Sequence, residues 1–352
     1  MKVVVNARFL TQRITGVQRF AIEVGLELKK MLGDDILFVS PSNIEQKEYA
    51  KQLSVKVVGN HKGHLWEQWD LPQYLKKQGS PLLLSLCNTA PLNYANKIVT
   101  VHDVAFEAYP QTFSKAFLYS YRFLIPRIIN SAKRVITVSQ FSKDEIVKYY
   151  GTDVKKIHVV FSAVADKFHI KEDLDLQKEK YFLAVSSLNY RKNFLAVLKA
   201  FDLFKKERED VSLFIIGDLS NSNFKAIDIE AYKEDPRISF LGRVSDEELV
   251  KYYSNAQAFV FPSIYEGFGL PPLEAQTCGC PVLVSDIPPH HEVVGESGKF
   301  CNPNNPNNIA LGMCEILNES EILRNKGFEN ITRFSFEKSA CQIYNIIADC
   351  LK

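Results

Sequence analysis

Short β-branched runs alternate with longer amphipathic stretches along nearly all of this chain, and that alternation restricts its fold more than any other feature. The runs in the first half are Lys2–Asn6, Ile36–Val39, Leu82–Leu86, Ile98–Val101 and Val135–Val138. Those in the second are Tyr181–Ser186, Leu213–Gly217, Ile238–Leu241, Ala258–Phe261 and Pro281–Ser285. They are almost continuously apolar, as strands are when both faces of a parallel sheet are covered. Helical periodicity fills the gaps, for example at Val17–Lys30, Asn193–Arg208 and Asp246–Ser254. The order predicts an α/β fold, and 352 residues exceed one ordinary core. Two successive doubly wound parallel-sheet domains are therefore expected. The charged stretch Lys167–Lys180 has no apolar face and reads as the seam, while the helical stretch Phe336–Leu351 fits either domain. Neither a short repeat nor a low-complexity tract interrupts this scheme.

Charge and cysteine content narrow the class. A net charge of +2 leaves no broad basic face, so a nucleic-acid partner is not expected. The seven cysteines are odd in number and scattered, which suits a reducing cytosol better than a disulfide framework. Cys278 and Cys280 lie two apart, but no second His or Cys pair completes a zinc pattern. Met1–Asn6 reads as a strand and not a signal peptide, because Asn6 and Arg8 interrupt it at once. No apolar run reaches the roughly 20 residues that span a bilayer. The expected location is the cytoplasm, with peripheral contact at the inner face of the cell membrane.

The most informative segment starts where the run Ala258–Phe261 ends, at the carboxyl end of a strand, where doubly wound sheets bind ligands. It reads Pro-Ser-Ile-Tyr-Glu266-Gly267-Phe268-Gly269-Leu270-Pro-Pro-Leu-Glu274. Gly267 and Gly269 let the backbone approach a ligand, Pro271 and Pro272 suit a helix's first turn, and Gly279 is placed to end it. A helix start behind a glycine loop favours an anion such as a phosphate. Glu266 in the loop and Glu274, expected in the first turn, suit vicinal hydroxyls as acceptors; alternatively Glu274 only complements the helix dipole. Arg191-Lys192-Asn193 follows another strand and opens another helix. There two cations are placed to stabilise a departing diphosphate, although such a pair alone is commonly a solvated surface feature.

Other segments carry less. Thr15-Gly16-Val17-Gln18-Arg19 opens a helix after the first strand without a dinucleotide fingerprint, and Gly16 there allows close approach of donor phosphate or acceptor. His102-Asp103 ends a strand, where a lone histidine is as often structural as functional. His64–Gln68 and Cys87–Pro91 give weak signals. Asp173-Leu174-Asp175 has the spacing of a divalent-ion site but falls in the expected linker, so it reads as solvated charge. His290-His291 reads as a loop after Pro288-Pro289 with no third metal ligand.

Glu266 and Glu274, with seven residues between them that include Gly-Phe-Gly-Leu-Pro-Pro, resemble the signature of the family 4 retaining glycosyltransferases of GT-B fold. Phe240–Ser245 with Asp246–Leu249, Ile287-Pro288 with Glu292–Gly295, His102-Asp103, Gly16–Arg19 and Trp66–Gln68 extend the likeness over nearly the full chain. The resemblance implies two Rossmann-like domains facing a cleft. Residues 1–170 with the crossing helix 336–352 would form the acceptor side, and 171–335 the nucleotide-sugar side. It implies that Glu274 binds the donor ribose, Glu266 the transferred hexose, and Arg191 and Lys192 the diphosphate. His102 would contact the sugar. Gly267, Phe268, Gly269, Leu270, Gly16, Gly242, Arg243 and Val244 would complete the donor site, with no metal and no cofactor. Ser186-Ser187 stands where many relatives have Gly-Arg, so one phosphate-binding arginine is missing, and Arg191 is expected to compensate. The style is closest to bacterial O-antigen and exopolysaccharide mannosyltransferases. GDP-mannose is the favoured donor, with a UDP- or dTDP-sugar as the alternative. A glycan or polyprenyl-linked oligosaccharide is the expected acceptor.

Lys115–Arg134 mixes aromatic and basic residues, which fits either a membrane-surface helix or an ordinary amphipathic one with core aromatics. Two other readings of the scaffold compete, a nucleotide-sugar epimerase or phosphorylase and a non-catalytic sugar- or nucleotide-binding protein. The intact pair of glutamates favours transfer.

Overall fold

The computed structural model describes residues 3–185, 190–217 and 230–352. The chain falls into two compact units, Met1–Ala163 with Phe334–Lys352, and Val164–Arg333. The first unit holds strands Val3–Asn6 (β1), Ile36–Ser40 (β2), Lys56–Val57 (β3), Leu82–Ser85 (β4), Lys97–Thr100 (β5), Arg134–Thr137 (β6) and Ile157–Val159 (β7). The second holds Tyr181–Val185 (β8), Ser212–Ile216 (β9), Ile238–Gly242 (β10), Ala258–Phe261 (β11), Val282–Ser285 (β12) and Lys299–Cys301 (β13). The helices used below are Gly16–Leu32 (α1), Lys115–Ser131 (α2), Phe194–Glu207 (α3), Asp246–Asn255 (α4), Leu270–Thr277 (α5), Pro288–Val293 (α6), Pro306–Ile331 (α7) and Phe336–Leu351 (α8).

Both sheets are parallel, with orders β3-β2-β1-β4-β5-β6-β7 and β10-β9-β8-β11-β12-β13. Each order reverses direction once, between β1 and β4 and between β8 and β11, so each sheet has one topological switch point. Side chains show why both faces are covered. Val3, Val5, Phe38, Leu82 and Leu84 enter one core with Phe20, Val24 and Leu28 of α1. Their neighbours Val4, Val39 and Leu83 enter another with Trp66, Leu71 and Leu75. An unbroken apolar run is what a strand between two such cores needs.

The first unit is built from two separated stretches of chain. Ala340, Ile343, Ile346 and Ile347 of α8 complete its core against α1. The buried isoleucines each contribute about 1.5–3 kcal/mol of transfer free energy, so α8 is integral to that unit.

The charged stretch expected to be a linker is instead pinned to the second unit. Lys171 donates its amide to Ser254 Oγ at 2.9 Å, and the Asp173 amide reaches Asn255 Oδ1 at 3.3 Å. Lys251 pairs with Asp173 at 3.1 Å, and Lys167 pairs with Asp246. Asp173 is therefore half-buried at the end of α4, and not the fully solvated charge expected from its setting.

Lys97, at the start of β5, is wholly buried, and its Nζ donates to Pro91 O at 2.7 Å and Ser131 Oγ at 2.8 Å. Burial pulls its ammonium down to about 8, helped by nearby Lys156 and opposed by Glu67. An unfolded lysine keeps its proton to about 10.4, so between these values the unfolded chain binds more protons and stability rises with pH. Melting of wild type and Lys97→Met across that window is expected to shift in favour of wild type as pH increases. A pH-independent difference would show that the buried ammonium does not titrate early.

Candidate active site

In the second unit the site forms where β8 and β11 diverge. The turn Tyr190–Lys192 leads into α3, and its geometry rests on Asn193, which adopts φ 55° in the left-handed region. Asparagine tolerates that conformation better than most residues. Its Nδ2 donates to Pro262 O at 3.0 Å and Pro303 O at 2.6 Å, fastening the turn beside the end of β11. The Ile264 amide donates to Arg191 O at 2.8 Å, a second tie between the two loops. Lys192 and Glu266 are thereby brought together, Nζ donating to Oε1 at 2.6 Å, with side chains 20% and 10% exposed. Lys192 Nζ also lies 4.8 Å from the centre of the Phe261 ring, within cation–π range. Arg191 is half-buried on the same turn.

The glycine loop then turns into α5. Gly269 is its N-cap at φ 99°, a conformation that disfavours any side chain. Pro271 and Pro272 follow Leu270 and lack N–H groups, so the helix start presents the amides of Gly269 and Leu270 without stranding further donors. The helix ends as expected at Gly279, φ 76°. Gly279 N–H reaches Gln276 O, and Cys280 N–H reaches Ala275 O, both at 2.9 Å, which is a Schellman motif. Glu274, half-buried, is the fifth residue of α5 and stands in its second turn, not in the first as expected. The two prolines move the helix start back to Leu270, which shifts Glu274 beyond the first turn.

His290 was missed by sequence reading. Pro288 and Pro289 start a short helix, α6, where a loop was expected, and His290 within it is fully buried. Its Nδ1 lies 3.0 Å from Ser285 O, so that nitrogen carries the proton and Nε2 is an acceptor. A Cβ built on Gly269 would meet His290 Cδ2 at 3.1 Å, so the imidazole closely backs the donor loop. Burial pulls the His290 pKa down to about 4, against the pull of Glu266 and the Ser285 carbonyl, and it stays neutral. His291 turns elsewhere, to Asp286 at 2.6 Å. Two prolines before a histidine were the available signal, since they favour a helix start over a loop.

Gly242 (φ 68°) ends β10 at a register shift, and its carbonyl accepts from Gly217 N–H at 2.8 Å. Exposed Arg243 and half-buried Val244 lead to α4, capped by Ser245 and Glu248. Ser186 and Ser187 lie outside the described residues.

The remaining candidates belong to the first unit. Gly16 opens α1, with Thr15 and Gln18 forming a capping box, and is not in the left-handed region. His102 follows β5 and is buried, with Nε2 2.9 Å from Leu86 O, its amide on Asn88 Oδ1 at 2.9 Å and its ring edge-on to Phe20. Burial lowers its pKa, partly offset by the Leu86 carbonyl and Asp103, which favours the neutral imidazole. At the β1–β4 switch point a π-helical turn, Trp66–Asp70, carries the buried Glu67. Glu67 accepts from Asn6 at 2.7 Å and Arg8 at 3.3 Å. Burial works to raise its pKa, but Arg8 and hydrogen bonds from His64 and Thr89 outweigh it and hold the carboxyl below its usual value. The weak signal at His64–Gln68 thus marks a buried charge network.

All seven cysteines are free. Among the described residues no three His, Cys, Asp or Glu side chains gather as a metal site, and no helix is long and apolar enough to cross a membrane.

Paired doubly wound sheets, with a cation and a carboxylate at a glycine-loop helix start, define a class of nucleotide-handling α/β proteins. The description "Glycosyltransferase Family 4" matches residues 14–167, and "Glycosyl transferases group 1" matches 166–333. The O-antigen chain mannosyltransferase RfbU of Salmonella typhimurium is 28% identical over 98% of this chain and 99% of its own length. The O-antigen chain mannosyltransferase B of Escherichia coli is 25% identical over the same shares. The structure of HepE of Anabaena in complex with UDP and glucose shares the fold, with TM-score 0.72, 18% identity and 99% of each chain covered. The chain belongs to the family 4 glycosyltransferases of GT-B fold.

Proposed function

We propose that the chain is a retaining, metal-independent hexosyltransferase, and that its donor is GDP-mannose. The observation that carries the reading is the Lys192–Glu266 pair beside the Gly269–Leu270 helix start. Diphosphate oxygens take Lys192, Arg191 and the loop amides around Phe268 and Gly269, while the hexose hydroxyls take Glu266 and the ribose takes Glu274. Arg243, Val244 and Gly242 lie toward the base, and Gly16 and His102 serve from the first unit. As the diphosphate leaves, one of its oxygens accepts the proton of the acceptor hydroxyl, which attacks from the same face and so preserves configuration. The clustered cations supply the charge that a metal supplies in other transferases.

The names of the two mannosyltransferase relatives support mannose and an O-antigen glycan as acceptor, with a polyprenyl-linked oligosaccharide as the proposed alternative. A UDP-sugar is the second reading, supported by the UDP and glucose held by the Anabaena neighbour. The acceptor is proposed to be met at the inner membrane face. Tyr119 and Phe123 of α2 are exposed with Lys115 and Arg122 on the same helix, and Arg127 lies 3.8 Å over the Phe123 ring. Phe117 and Tyr121, by contrast, stack on each other and pack inward, so the helix divides its aromatics between core and surface.

The test is acceptor-free hydrolysis of GDP-, UDP-, ADP- and dTDP-sugars, reading released diphosphate with and without chelator. Chelator-resistant release from GDP-mannose above the others is expected. Release that chelator abolishes, or that another sugar dominates, would replace those parts of the proposal.

A further inference from the structure

The cation proposed to hold the diphosphate and the carboxylate proposed to hold the sugar are hydrogen-bonded to each other. Both are largely withdrawn from water, so their pairing is worth more than that of a surface pair. Their backbones are fixed by the Asn193 and Ile264 ties, and Nζ is further held over Phe261. His290, which lies in the field of both, is kept neutral by burial and offers Glu266 no second cation.

We propose that this ion pair makes the site prefer an intact nucleotide sugar over the nucleoside diphosphate left after transfer. The inference rests on the donor reading above. A nucleotide sugar gives both halves a replacement, since its diphosphate oxygens accept from Lys192 and its sugar hydroxyls donate to Glu266. The product replaces only one. Its terminal phosphate has an additional ionisable oxygen, mostly charged at neutral pH, and no hydroxyl for the carboxylate. That oxygen must share Lys192 with Glu266 and faces a like charge. The pair therefore opens for the donor and opposes retention of the product, and only hydrogen bonds are exchanged.

Calorimetric titration of the full chain at neutral pH, without acceptor, separates the ligands: GDP against GDP-mannose, then UDP against UDP-glucose. Wild type is expected to bind its intact nucleotide sugar about tenfold more tightly than the matching diphosphate, the scale of one hydrogen bond to a charged group. Glu266→Gln keeps the size and removes the charge. It is expected to tighten diphosphate binding about tenfold and to erase or invert the preference. Glu266→Asp, which keeps the charge, should leave the diphosphate affinity at its wild-type level. Glu274→Gln should weaken both ligands alike and leave their ratio unchanged.

Unchanged or weaker diphosphate binding by a Glu266→Gln variant that melts like wild type would overturn the proposal. Should that variant fail to fold, the aspartate arm decides, because tighter diphosphate binding with the charge retained is also incompatible with it. Equal affinity of wild type for both ligands sinks the selectivity alone. Binding of neither, in both nucleotide series, sinks the donor reading with it.

Discussion

Lys192→Ala is expected to lower turnover about 10²- to 10³-fold, the loss typical when one preorganised charge partner of a developing anion is removed. The reasoning follows from where negative charge grows. A nucleotide sugar already carries charge on its diphosphate, but bond breaking adds more at the leaving oxygen, and an ammonium is most useful at that stage. In the ground state the loss is partly offset, because Lys192 must give up Glu266 to serve the donor. Donor affinity should therefore change by only a few-fold while kcat falls. Removing the lysine also leaves the buried Glu266 carboxylate without this partner, so the variant should melt below wild type. Steady-state kinetics with released diphosphate as the readout, beside a melting curve, separates the two effects. A kcat within a few-fold of wild type would remove Lys192 from the chemistry.

Glu274→Ala is expected to do the opposite. Its proposed partner is the ribose, which does not react, so its contact is equally strong in ground and transition states. Loss of a hydrogen bond to a charged acceptor should weaken donor binding about 10- to 100-fold, with kcat at saturating donor nearly unchanged. The side chain is half-buried in the second turn of a helix whose carboxyl end is closed by its own Schellman motif. Alanine favours that helix, so the fold should persist. A fall in kcat with unaltered KM would place Glu274 at the reacting centre. Wild-type behaviour in both variants would dismiss the site as assigned.

The interior strands were legible because β1, β4, β8, β11 and β12 are covered on both faces, and apolar runs follow directly from that. The strands β3, β7 and β13 were not, being two or three residues long at sheet edges, too short for any period to register. The donor loop was legible for a different reason: glycines, prolines and carboxylates have few other reasons to coincide. Sequence could not show that Asn193 holds Lys192 against Glu266, because its partners Pro262 and Pro303 are remote in the chain. Distance hid the anchoring of Asp173 in the same way, since Lys251 and Asn255 lie far along the sequence. His290 was hidden by neighbours that resemble a loop, and Glu274 was misplaced by one turn because two prolines obscured where the helix begins.

The return of α8 to the first unit sets an order on biosynthesis. On the ribosome, β1 to β7 emerge first, but the isoleucines that seal their core against α1 are made only after the whole second unit. That second unit is continuous in sequence and can close on itself as it appears. The first must wait with an apolar stripe of α1 uncovered, open to chaperones or to a neighbouring nascent chain. Its folding is thus completed only after the second unit has been translated. A premature stop shortly before Phe336 would yield a chain with its donor loop complete and the core of its other half unsealed.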